Sequence, residues 1–191
     1  WMAKGKSNAV SVADAVLTDI FGLVTAENFG NAAADKVVAA LANFDLDAVA
    51  AIRAAATKKK LRPGRASLVL NSDYFSALLA KLPANLYGGA GAIKNGVIDG
   101  LLGFNKIVEA STLAIPGFVC MPAAIAVAVR YLAPVDPRAY SEVGKAYDEQ
   151  TGLTLGVRAF AVPATGLKSV AVDCNYGRDV GDEKALLRIV A

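Results

Sequence analysis

The chain has 191 residues, enough for one large domain or two small ones sharing a core. With 55% hydrophobic and 19% charged residues it is not a disordered chain, and a net charge of +3 lacks the dense basic stripe of a dedicated DNA-binding module. It contains no histidine, which excludes Ser-His-Asp and Cys-His triads and removes the commonest transition-metal ligand. The apolar excess fits either a subunit that hides surface in a large oligomer or the many small alanines. The two cysteines, Cys120 and Cys174, are too far apart for a CxxC site and read as free, reduced thiols.

Taken in chain order, Trp1 to Lys6 read as an exposed start, and Trp1 ahead of Met2 as a fragment edge. Ser11, with Asp14 three positions on, opens a helix in a capping-box-like arrangement. Val12, Val16, Ile20 and Val24 form its apolar stripe, flanked by Ala13, Leu17 and Phe21, and Gly30 is placed to stop it. A second helical stretch is expected after Asn31, carrying Val37, Val38 and Leu41. A third starts at the cap Asp45, turns Val49 and Ile52 inward and ends in Lys58, Lys59 and Lys60. Cations complement the dipole at a helix C-terminus; contact with nucleic acid or an acidic neighbouring subunit is the functional alternative for the same run.

Pro63-Gly64 makes a turn. Ser67 to Leu70 is a short buried strand, and Asn71, Ser72 and Asp73 offer caps for a helix bearing Tyr74, Leu78 and Leu79. The glycine-rich stretch Gly88-Gly89-Ala90-Gly91 leads to the turn signal Asn95-Gly96. Lys106–Ala110 and Phe118–Met121 read as strands, and Pro122 as the first residue of a helix through Val129. Ala110 to Val129 has the length of a membrane span, but Pro116, Gly117 and Pro122 interrupt it, so no membrane partner is expected. Pro134, Asp136 and Pro137 mark a second boundary. After a polar stretch to Gln150, Leu153–Phe160 and Ser169–Cys174 are strands joined through Pro163 to Gly166, and Ala185–Val190 is the last strand.

The motifs that would carry chemistry fail on spacing. Gly88 to Gly96 is not a phosphate loop: no GxxxxGK with a following Ser or Thr occurs, and Lys94 stands where a dinucleotide fingerprint needs its third glycine. There is no GxSxG elbow. The close acidic pairs, Asp45/Asp47, Asp148/Glu149 and Asp182/Glu183, sit at turns or caps. No catalytic, metal or cofactor-binding residue is assigned, and neither cofactor nor small-molecule substrate is expected.

Several strings, in serial order, resemble the major capsid proteins of tailed phages. Leu23 to Gly30 (LVTAENFG) is similar to the end of that family's spine helix. Ser67 to Ala80 (SLVLNSDYFSALLA) resembles the strand and helix that open its axial domain. Gly103-Phe104 with Lys106 to Ser111 (KIVEAS) is similar to the next family strand, and Phe118 to Ala128 resembles the strand and proline-led alanine helix after it. Thr151 to Arg158 (TGLTLGVR), Tyr176-Gly177 and Leu186 to Ile189 resemble the return strands of the peripheral domain.

The resemblance runs from about Ser11 onward. It implies an α+β chain with the Hong Kong 97-like capsid fold. Residues 1–62 and 150–191 would form a peripheral-domain core of a helix and antiparallel strands, and residues 63–149 an axial domain with a mixed sheet flanked by helices. It further implies a self-assembling shell subunit of the virion capsid, made in the bacterial host cytoplasm. Its partners would be copies of itself, in pentamers and hexamers, and non-specifically packaged double-stranded DNA.

No counterpart of the family's N-terminal arm and extended loop is found ahead of Ser11. The expectation is therefore a truncated core, a monomer or weak small oligomer in dilute solution. Tyr87, Gly88, Gly89 and Gly91, with Lys58, Lys59 and Lys60, are the candidate subunit-contact or mobile segments. An encapsulin-like compartment shell, or a histidine-free α/β enzyme using Lys or carboxylates, are the alternative readings.

Two sheets are expected. Ser67–Leu70, Lys106–Ala110 and Phe118–Met121 would share one, covered by the helices starting near Ser72 and Pro122. The three C-terminal strands would form another beside the N-terminal helix.

Overall fold

The computed structural model describes residues 2–83, 96–134, 136, 139–147, 152–162 and 167–191, and all structural statements concern these residues. The chain is α+β. Its helices are α1 (Met2–Phe21), α2 (Ala26–Phe29), α3 (Leu46–Lys58) and α4 (Ser72–Lys81). Its strands are β1 (Lys36–Val38), β2 (Ser67–Leu70), β3 (Val97–Asp99), β4 (Lys106–Glu109), β5 (Gly117–Cys120), β6 (Ile125–Arg130), β7 (Glu142–Tyr147), β8 (Thr154–Val162), β9 (Leu167–Asp173), β10 (Asn175–Val180) and β11 (Leu186–Val190). They fall into two compact units, one formed by Trp1–Ile20 with Val127–Asp179, the other by Phe21–Ala126 with Val180–Ala191.

The second unit is built on a six-stranded mixed sheet in the order β1-β11-β5-β2-β4-β3. The β1/β11 and β2/β4 pairs are parallel, and the others are antiparallel. Alternate side chains of a strand point to opposite faces, and both faces are covered here. Leu68, Leu70, Ile107, Val119, Leu187 and Ile189 join Val49 and Ile52 of α3 and Phe75 and Leu78 of α4 in one cluster. Phe118 and Leu186 turn the other way, to Val24, Phe29 and Leu113. Burial on both sides is why β2, β5 and β11 read as near-continuous apolar runs.

The helix starts follow from the cap chemistry. Asp45 accepts from the Ala48 N–H over 3.0 Å, and Asn71 accepts from the Tyr74 N–H over 3.0 Å, each satisfying one orphan donor of the first turn. As expected, β2, β4 and β5 share a sheet, with the helix that starts at Ser72 packed on it.

Five expectations are corrected. Helix α1 begins at Met2, not Ser11, because Ala3, Lys4, Lys6 and Ala9 are good helix formers upstream of it. It ends at Phe21, and Gly30 instead closes the short α2 with φ +84°. No helix follows Asn31: the β-branched pair Val37-Val38 lies in β1. Pro122 does not start a helix, since Ile125 to Arg130 are strand β6, paired with β10. Ala185–Val190 does not join the other C-terminal strands. As β11 it lies inside the six-stranded sheet, where its apolar residues on both faces find cover.

In the first unit, β7, β8 and β9 form an antiparallel sheet in that order. Leu153, Leu155 and Ala159 are buried, as are Ala13, Val16 and Ile20 on one side of α1. Arg158 of β8 meets Asp173 of β9 at 3.0 Å, and its guanidinium stands 5.8 Å from the centre of the Tyr140 ring.

Candidate assembly surfaces

The lysine run at the end of α3 separates into two kinds of residue. Lys59 is a structural residue. Its ammonium donates to Asp35 Oδ1 at 2.9 Å and to the Leu186 carbonyl at 2.7 Å, and only 9% of the side chain is exposed. The hydrogen bond from Lys59 holds the Asp35 carboxyl below its usual range, against the opposing effect of burial, with Lys59 and Arg188 adding charge attraction.

Arg188, buried in β11, donates to the Gly30 carbonyl at 2.9 Å and to Asn31 Oδ1 at 3.3 Å. The turn from Gly30 to Asp35 is therefore pinned from two elements. Glycine is required at position 30, because a Cβ there would collide with the Asp35 carboxylate and φ is positive.

Lys58 and Lys60 are exposed, and Lys60 takes φ +68° where the chain leaves the helix. Neither has a side-chain hydrogen bond or ion pair among the described residues. Tyr87, Gly88, Gly89 and Gly91 lie outside the described residues. Of the candidate contact residues that are described, Lys58 and Lys60 lie on an open surface.

Sequence reasoning missed further surfaces. Strand β1 is an edge of the six-stranded sheet and carries Val38, 70% exposed, beside the half-exposed Leu41. Strand β3 is the other edge. In the first unit, Val143 and Tyr147 of β7, Leu132 and Val127 are exposed. Short edge strands with charged neighbours are how sheets limit unwanted pairing, and β1 and β3 have three residues each.

The chemistry of the described residues is correspondingly sparse. No group of three or more Cys, Asp or Glu is arranged to hold a metal ion among them. Burial pushes the Cys120 thiol up to about 11 and also raises Cys174, the opposite of what an activated nucleophile needs. No helix among them is long and apolar enough to cross a membrane.

No protein-family model matches the chain, and no curated protein sequence matches it. A solved structure from Mycobacterium phage Che8 does match, with a TM-score of 0.54 over 97% of this chain at 15% identity. The chain shares its fold with a phage protein. It spans 61% of that protein's length, so the match takes in nearly all of this chain and about three fifths of the other.

Proposed function

We propose that this chain is a structural shell subunit, the major capsid protein of a tailed phage with the Hong Kong 97-like fold. On this reading it assembles into pentamers and hexamers around double-stranded DNA in the virion and carries out no catalysis. One observation carries the reading: the fold match to a phage protein extends over 97% of the chain. It is supported by the serial order of capsid-like strings, from LVTAENFG at Leu23 to the closing Leu186–Ile189. Open sheet edges and exposed apolar residues in both units suit a subunit with neighbours on more than one side.

The test is abundance in particles. Virus-like particles from cells that carry the gene are banded by density and digested, and peptides of this chain are counted against the other particle proteins. A shell subunit dominates the particle, at hundreds of copies on the order set by a closed lattice of pentamers and hexamers. Absence from the particle band, or only a handful of copies per particle, would overturn the proposal.

A further inference from the structure

One corner of the second unit gathers positive charge that the fold does not use. Between Asp47 and Asp73 the chain contains no acidic residue and six cations, Arg53, Lys58, Lys59, Lys60, Arg62 and Arg65. Only Lys59 is neutralised within the fold. Arg53, Lys58, Lys60, Arg62 and Arg65 are exposed, as is Lys106 at the start of β4. None of these six has a side-chain hydrogen bond or ion pair among the described residues.

Backbone contacts bring most of them to one place. The Gly64 N–H donates to the Gly103 carbonyl at 2.8 Å, and the Asn105 N–H to the Ala66 carbonyl at 2.8 Å. The turn bearing Arg62 and Arg65 is thereby fastened to the loop that leads into Lys106. The Arg53 guanidinium lies over Gly103, its Nη2 3.1 Å from where a Cβ would stand. Strands β2 and β4 are parallel and aligned, Leu68 opposite Ile107, so both begin at this corner. Asp99, opposite Lys106 on β3, is the one carboxylate that the strand register sets beside these cations.

We propose that this corner, formed by Arg53, Arg62, Arg65 and Lys106 with Lys60 beside them, binds the phosphate backbone of a nucleic-acid duplex. Three of the five are arginines, whose planar fork suits phosphate oxygens. A protein partner would need an apolar centre in its contact surface and would be expected to avoid lysine there. The corner instead exposes Pro63, Gly64 and Asn105, and among the described residues the large exposed apolar side chains lie elsewhere. The inference rests on the shell reading for the source of the duplex, and on the side chains for the place where it is held. Binding of this kind follows charge rather than base sequence.

The experiment titrates the 191-residue chain with a 24-base-pair duplex DNA by fluorescence anisotropy across a salt series. About four phosphate contacts give a slope of log K against log salt near −3.6. Replacing Arg53, Arg62 and Arg65 together by Gln removes about 2.7 of that slope and weakens binding at low salt by about tenfold or more. The triple Lys variant keeps most of the slope, and Lys168→Gln, exposed on β9, leaves it unchanged. Circular dichroism shows whether each variant is folded; a misfolded Gln triple is replaced by the three single variants, each expected to remove about 0.9.

No salt-dependent binding to the duplex overturns the proposal, as does binding indifferent to the Gln triple. Tighter binding of a polyglutamate peptide than of duplex, lost in the same triple, also overturns it and makes the corner a protein contact. Failure here leaves the particle-abundance result standing, so the two readings fail separately.

Discussion

Arg178 and Asp19 stand 159 positions apart in the chain, yet Arg178 Nη2 donates to Asp19 Oδ1 over 2.6 Å, and its Nε donates to the other carboxylate oxygen. Tyr176, two residues earlier on the same face of β10, donates its hydroxyl to Asp19 Oδ2 at 2.7 Å. One carboxylate on α1 thus takes three hydrogen bonds from a single strand. Those from Arg178 and then Tyr176 hold the Asp19 carboxyl below its ordinary value of 3.8.

Whatever the pairing contributes to stability is therefore present above pH 3.8 and is lost as the pH falls through the lower folded value. Carboxyl NMR of the chain should show Asp19 titrating below its ordinary value of 3.8. Arg178→Gln should return it toward the ordinary value, and Asp19→Asn should lower the Tyr176 phenol, which Asp19 now raises. An Asp19 that titrates at its ordinary value in the wild-type chain would rule out the network.

The lysine run should divide in mutagenesis as it does in space. Lys59→Met leaves Asp35 without its cation and the Leu186 carbonyl without its donor, a loss of about 1–3 kcal/mol. Lys58→Met changes an exposed residue and should stay within about 0.5 kcal/mol. Urea denaturation of the two variants makes the comparison, and equal midpoints would show that Lys59 is not structural. The Asp35 pairing has the same pH sign as that of Asp19, so the gap between the variants should narrow in acid.

Gly117 and Gly144 are both strand glycines, and only one should resist substitution. A Cβ on Gly117 would lie 2.5 Å from the Val69 carbonyl oxygen and 2.9 Å from Leu70 Cδ2, inside the six-stranded sheet. Gly117→Ala should cost about 1–3 kcal/mol by overpacking. A Cβ on Gly144 meets nothing within 4 Å, so Gly144→Ala should be neutral or slightly stabilising. Thermal unfolding of both variants decides it, and a tolerated Gly117→Ala would mean that β5 and β2 are further apart than described.

The two thiols should react at different rates. Cys120 lies in β5, with its thiol pushed up to about 11 by burial, whereas Cys174 is raised less and lies between β9 and β10. A disulfide reagent at pH 8 should show one faster thiol, lost in Cys174→Ser, and one slower thiol, lost in Cys120→Ser. A faster phase that survives Cys174→Ser would place Cys120 at the surface.

Local chemistry was the part of the fold that could be read from residues. Asp45 and Asn71 cap the helices they were expected to cap, and Ser67–Leu70 has the strand bounds its apolar run implied. What failed was the choice between periods and the choice of partner. In Ile125-Ala-Val-Ala-Val the alanines suit a helix, while Ile125, Val127 and Val129 alternate with the period of a strand, and strand pairing with β10 prevailed. Strand β10 was indicated only by the resemblance at Tyr176-Gly177 and not by its residue pattern, because its inward-leaning residues are Tyr176, Arg178 and Val180, and only Val180 is purely aliphatic.

The partner of β11 is a question of register across the whole chain, which no local window contains. The candidate surface was legible only as charge. Lys58 to Lys60 could be seen in the sequence, but nothing there distinguished the buried Lys59 from its neighbours or placed Arg53 beside Gly103.

Strand β11 sets a timetable for synthesis. It is paired on both sides inside its sheet, to β1 and to β5, and the β1 partner Lys36 precedes Arg188 by roughly 150 residues. A ribosome adding about 5–20 residues per second takes on the order of 10 s to cover that distance. During that interval β1 has no partner, and β5, once made, has an open flank until β11 arrives. All the strands of the β7-β8-β9 sheet are made in the same interval, so that sheet can close while the larger one is still incomplete. A newborn chain passes through a stage with one finished sheet and one unfinished, apolar-edged sheet, when chaperone capture and mispairing with another nascent copy compete with the arrival of residues 186–190.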